Sequence, residues 1–179
     1  FLFFLLRAML PIASMADTAE EAGVKIITGD TKVVDAKGAE GGLMINTAGV
    51  GFARGNVNCE PSLCQDEDMV ILSGTLGEHH AAILGSRMGI HNNIVSDAAP
   101  LTEMVGSLIE HGIQIHAMRD VTRGGLGTVL NEFAAASHCC MNLQEKALPV
   151  SEQVRDFCGI LGLDPMYMGN EGKMVAIIP

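Results

Sequence analysis

The residues best suited to chemistry lie in four short stretches. In MRDVTRGGLGTVLNEFAAA, residues 118–136, a charged turn opens into a patterned helix. Asp120 or Thr122 can accept hydrogen bonds from the first free helical amides, Gly124 and Gly125 allow close approach to the backbone, and Arg123 adds a fixed cation. Such a helix start attracts anions. In TGDTKVV, Asp30 and Lys32 flank Thr31 after an apolar run, so that a carboxylate and an ammonium could hold a metal-bound phosphate from both sides. His79, in GTLGEHH, could donate to a phosphate or carry a proton. Asn170 and Glu171, in NEGK, precede the last apolar run, and Glu171 in a cleft would accept a proton. Each stretch is also compatible with an ordinary role: a capped core helix, a solvated turn after a strand, a packing histidine, a plain turn.

Composition narrows the chemistry. The 179 residues carry 21 acidic against 11 basic side chains, a net charge of −10 without a basic run. A nucleic acid or an anionic membrane is therefore not expected as a partner, and an anionic ligand must be held by a few local cations. Only 4% of residues are aromatic, which offers no stacking platform, whereas 48% are hydrophobic, enough for a sizeable core. The five cysteines are odd in number and Cys139 and Cys140 are adjacent, a pattern that suits a reducing cytoplasm better than a disulfide framework. Cys59 and Cys64 are spaced C-x4-C without a second pair, so no structural zinc is expected. The apolar opening FLFFLL is interrupted by Arg7 and Pro11 and falls short of the ~20 residues of a membrane span. Neither a basic flank nor a cleavage signal marks it as a leader. The absence of a starting methionine and the end inside an apolar run read as an excised piece.

These residues need a scaffold, and the periodicities predict one. Residues 5–22 read as a helix stopped by Gly23, with Pro11 either kinking it or marking its start. Strands are expected at 24–28 and 42–51. A polar segment at 59–68 is the candidate boundary. Beyond it the order is a strand at 69–73, a helix from His79 to Met88 stopped by Gly89, a helix at 99–111 and a strand at 113–117. The helix that follows carries Leu126, Val129, Leu130 and Phe133 at i, i+3, i+4 and i+7. A short strand at 141–143, a helix at 151–161 capped by Ser151 and a final strand MVAII complete the chain. Repeated switches between strand and helix with glycine turns imply mixed α/β layers.

The order of the motifs is more specific than any one of them. SMADTAEEAGVKIITGDTKVV, INTAGVG, SGTLGEHH, MRDVTRGGLGTVLNEFAAAS, ALPV and NEGKMV closely resemble the hydrogenase-maturation carbamoyl dehydratases, over residues 14–178. That family belongs to the superfamily of aminoimidazole ribonucleotide synthetase and selenophosphate synthetase. The resemblance implies a two-domain PurM-like α/β (α+β) fold, with an N-terminal half-barrel sheet that pairs in a homodimer and a C-terminal mixed sheet covered by helices. Residues 1–60 would be the second half of the N-terminal ATP-binding and dimerisation domain, and residues 66–179 an incomplete C-terminal domain. The implied activity uses ATP and Mg2+ to dehydrate a carbamoylated C-terminal cysteine to a thiocyanate. Its cyanide then passes to the iron of nickel-iron hydrogenases. The implied partners are a carbamoyltransferase and iron-carrying maturation proteins.

Position by position, the resemblance makes Asp30 a Mg-ATP residue, Lys32 the lysine beside the ATP and the carbamoyl group, and Glu171 the proton acceptor. Thr31, His79, Asp120, Arg123, Gly124, Gly125 and Asn170 match motif positions around the cleft, which Lys32 and Glu171 are expected to share. Two positions depart: His80 stands where the family usually has glycine, and Ala98 where it often has cysteine. The family's upstream glycine-rich segment with a Mg-binding aspartate, and its terminal acceptor cysteine, match nothing in the 179 residues. The piece alone is therefore expected not to complete the reaction. The alternatives are a selenophosphate synthetase-like synthase and a non-catalytic dimerisation or docking module.

Overall fold

The computed structural model describes residues 2–32, 44–52 and 57–179. It comprises two compact units, Phe1–Arg54 and Gly55–Pro179.

In the first unit, helix α1 (Leu2–Glu21) runs through Pro11, which therefore does not mark its start. Good helix formers on both sides outweigh the local cost of a missing N–H, about 3 kcal/mol. Gly23 follows with φ 67°, its N–H bonded to the Glu20 carbonyl, and closes the helix as expected. Among the described residues no helix is long and apolar enough to cross a membrane. The strand expected at 24–28 is irregular, as is the described part, 44–52, of that expected at 42–51. A strand exists only as a ladder with a neighbour. Here Val24, Ile26 and Ile27 are more than half exposed, as are Met44, Ile45, Val50 and Phe52, so β propensity alone does not make a sheet.

The second unit is built on a three-stranded antiparallel sheet, β1 (Met69–Leu72), β2 (Ala117–Asp120) and β3 (Met174–Ile178), in the order β1-β3-β2. The register pairs Val70 with Ile177 and Met118 with Ala176. Because side chains alternate along a strand, β3 feeds two cores. Val175 and Ile177 join Leu126, Val129, Leu130 and Phe133 of helix α4 (Gly125–Ser137). Met174 and Ala176 instead meet Ile115, Val105 and Leu108, the last two on helix α3 (Thr102–Glu110). A third cluster joins helix α2 (Glu78–Met88) to helix α5 (Glu152–Leu161) through Ala81, Val154, Phe157 and Cys158. Helices on an antiparallel sheet are the α+β architecture that the sequence implies.

Three local expectations are corrected. The strand placed at 113–117 lies at Ala117–Asp120, because its pairing to β3 decides where it forms. Residues 141–143 form no strand; Met141 and Leu143 pack on the α4 core without a ladder partner among the described residues. Ser151 is the N-cap of α5, but its side chain makes no capping hydrogen bond.

Asp68 and His116 tie the start of β1 to the start of β2. His116 Nδ1 lies 2.7 Å from Asp68 Oδ2, which also accepts the Gln65 N–H at 2.8 Å, and both side chains are buried. Burial works to raise the Asp68 carboxyl, but the hydrogen bonds from His116 and Gln65 outweigh it and hold the group below its ordinary value of 3.8. A carboxyl depressed in the folded state stabilises above its unfolded value and ceases to do so as pH falls through the folded one. Urea titrations at acid pH should therefore show a loss of stability in the native protein that is smaller in Asp68→Asn. Identical acid dependence would contradict the pairing.

Candidate active site

Three of the motifs converge on one buried amide. Asn170 is fully buried; its Oδ1 accepts the Gly77 N–H at 2.8 Å, and its Nδ2 donates to the carbonyls of Val121 at 2.9 Å and Met168 at 3.1 Å. Its own N–H donates to the Val121 carbonyl, and the Val121 N–H donates to the Lys173 carbonyl. One side chain thus ties the glycine turn before α2, the end of β2 and the NEGK turn together. The His80 N–H adds a bond to the Gly169 carbonyl, and His80 Nδ1 accepts the Gly169 N–H at 3.3 Å. His80 is thus part of that seam.

Asn170, expected from its motif among the ligand-binding residues, has its side-chain polar groups hydrogen-bonded to the backbone of three neighbouring segments. Truncating it leaves the Gly77 N–H and the Met168 carbonyl without that partner, while the Val121 carbonyl keeps the backbone N–H of residue 170, at about 1–3 kcal/mol per unpaired group. Asn170→Ala should lower the melting temperature by many degrees or prevent folding, as thermal denaturation would reveal; a shift of a degree or two would contradict the keystone role.

The seam leaves a polar cluster beside α2. His79 Nε2 lies 3.9 Å from Glu171 Oε1, and His79 Nδ1 is 2.8 Å from Ser96 Oγ. The His79 side chain is about a quarter exposed and that of Glu171 about half, so both can reach a solute. Asp97 Oδ1 accepts the Glu171 N–H at 3.1 Å, and its Oδ2 lies 3.4 Å from Lys173 Nζ. Ser96 and Asp97 carry no sequence signal, since they sit in the irregular segment between α2 and α3.

The RDVTRGG turn differs from expectation in its capping. The cap of α4 is Gly124 at φ 83°, with no side-chain hydrogen bond. Asp120 and Thr122 do not cap the helix, because the Thr122 hydroxyl donates to the Asp120 carboxylate. Gly125 is required by its place: at φ 64° a Cβ would meet the Met166 and Met168 carbonyls at 2.5 and 2.8 Å. Arg123 is exposed and makes no ion pair among the described residues.

Asp30, Thr31 and Lys32 lie in the first unit, all exposed, with Asp30 Oδ1 accepting the Thr31 N–H at 2.8 Å. Glu171, His79, Asp120, Arg123, Gly124, Gly125 and Asn170 lie in the second. Among the described residues no three His, Cys, Asp or Glu side chains gather as a metal site. Burial pushes the thiols of Cys59, Cys64 and Cys158 up, with Asp68 and Cys139 adding to the effect at Cys64, so these three stay protonated at neutral pH.

Comparison with known proteins agrees with this architecture. Residues 65–179 match the family described as AIR synthase related protein, C-terminal domain. Carbamoyl dehydratase HypE of Escherichia coli is 45% identical over 170 residues, which are 93% of this chain and 50% of that protein. A crystal structure of E. coli HypE superposes with a TM-score of 0.86, covering 92% of this chain and 51% of that one. HypE solved in complex with ATP gives a TM-score of 0.82 at 37% identity, covering 94% and 50%. The structure of a HypE-HypF complex gives 0.81 at 34%, covering 93% and 55%. The chain spans about half the length of the curated relatives it matches. It belongs to the AIR synthase related family, as a homologue of the hydrogenase-maturation protein HypE.

Proposed function

We propose that the protein bearing this chain is an ATP-dependent carbamoyl dehydratase, which turns a cysteine-bound thiocarboxamide into a thiocyanate during hydrogenase maturation. The observation that carries the reading is the polar cluster at the seam: an accessible carboxylate, Glu171, beside an accessible imidazole, His79, on a turn held by buried Asn170. The likeness to a HypE solved with ATP supports the nucleotide, and the likeness to a HypE-HypF complex supports a maturation partner.

An amide oxygen is a poor leaving group. In the proposed reaction it attacks the terminal phosphorus of ATP, ADP departs, and the nitrogen gives up one proton. Glu171 takes the second N–H proton as the C–O bond breaks. Phosphate leaves with that bond's electrons and the C≡N bond is completed. His79, 3.9 Å from Glu171, can pass the proton onward. Lys32, by its motif, is the cation proposed to offset charge on the transferred phosphoryl, with Arg123 as a second such cation. Asp30 is exposed and suits Mg2+, which commonly binds through one or two carboxylates with phosphate oxygens and water; bound there, the ion would neutralise phosphate charge. Thr31 and the Gly124-Gly125 turn complete the nucleotide contacts. Residues 1–60 then serve as part of an ATP-binding and dimerisation domain and residues 66–179 as part of the C-terminal one, in a cytoplasmic homodimer.

The test is phosphate release from Mg-ATP by the intact protein. Release should depend on prior carbamoylation of the acceptor cysteine. Release at the same rate without carbamoylation, or none with it, would contradict the proposal.

A further inference from the structure

We infer that Asp97 is a positioning residue that sets the carboxylate of Glu171 for proton transfer; the inference rests on the reading of Glu171 as the base. One carboxylate grips both sides of the turn. Its Oδ1 accepts the Glu171 N–H at 3.1 Å, and its Oδ2 lies 3.4 Å from Lys173 Nζ. The Asp97 side chain is only 4% exposed, and that of Lys173 17%, so this ion pair is shielded from water while Glu171 is not. Gly172, between the two gripped residues, has no room for a Cβ against the Asp97 carbonyl, so the aspartate's backbone closes the same clamp. Lys173 is further confined by Gly74, where an added Cβ would lie 2.9 Å from its Cε.

The neighbouring Ser96 works on the other partner. Its Oγ is 2.8 Å from His79 Nδ1 and accepts the Ala98 N–H at 3.2 Å, which leaves His79 Nε2 as the ring nitrogen facing Glu171. Two consecutive residues thus orient the acid-base pair from behind, Asp97 through the glutamate backbone and Ser96 through the imidazole. Lys173 is thereby engaged by Asp97 and is not drawn onto Glu171.

The ionisable groups packed around Glu171 are His79 from α2, Asp97 from the segment after it, and Lys173 from its own turn. Removing the Asp97 charge takes away an anion and frees Lys173. Both changes release the turn that carries the Glu171 carboxylate. In the intact protein, Asp97→Ala should lower kcat for dehydration about 10- to 100-fold, the scale of a misplaced catalytic group, with KM for ATP little changed. Asp97→Asn, which keeps an acceptor for the Glu171 N–H, should lose less.

Thermal melts decide which variant is scored, and Asp97→Asn stands in if Asp97→Ala does not fold. A folded Asp97 variant with native kcat, beside an inactive Glu171→Gln, would overturn the inference alone. Full activity in Glu171→Gln would instead overturn the reading beneath it.

Discussion

Glu171→Gln should stop nitrile formation while leaving ATP binding nearly intact. The side chain is half exposed and accepts no hydrogen bond that the fold depends on, so the isosteric amide should be accommodated without loss of structure. What disappears is the proposed proton acceptor. A positioned general base contributes about 10²–10⁴-fold, and kcat should fall by that order. The turn itself survives, because Asn170 and Asp97 hold it through the backbone N–H groups of Gly77 and Glu171. Thiocyanate formation measured beside nucleotide titration checks both halves. Unchanged turnover would remove Glu171 from the role.

Lys32→Ala is expected to have an effect of similar size by a different route. Lys32 is exposed, so its removal should change stability by no more than an ordinary surface substitution does, about ±0.5 kcal/mol. Its proposed work is electrostatic: an ammonium beside the phosphoryl group as charge develops there. Loss of one such preorganised cation costs about 10²–10³-fold in turnover. ATP affinity should fall as well, which a docking module without nucleotide would not exhibit. Lys32→Arg should restore only part of the activity, because a planar fork does not replace a compact point charge. Native ATP affinity and native turnover in Lys32→Ala would assign the lysine to the solvent.

What the letters reveal is what depends on neighbours in sequence. Leu126, Val129, Leu130 and Phe133 announce a buried face because helical spacing is local, and all four lie in the core. The MVAII run is an equally local signal of a buried strand, and β3 occupies it. Local pattern misplaces strand β2 because its position is decided by pairing with residues 174–177, far along the chain. Residues 24–28 have the composition of a strand, yet composition supplies no partner.

The site follows the same division. His79 and Glu171 are legible as chemistry-bearing types, and the fold sets them 3.9 Å apart. Asn170 is legible as polar, but its partners include backbone groups 93 and 49 residues away, and no spacing rule separates such an amide from one that binds a ligand. Asp97 gives no signal, since its meaning lies wholly in contacts made across 74 residues to the Glu171 N–H.

The central claim is that the protein removes water from a carbamoyl group by consuming ATP. The most direct measurement is the intact mass of the carbamoylated protein before and after incubation with Mg-ATP. The account predicts the loss of one water per acceptor cysteine, dependent on ATP and absent in Glu171→Gln. An unchanged mass with ATP present, or ATP consumed only when selenide is supplied and selenophosphate appears, would contradict it.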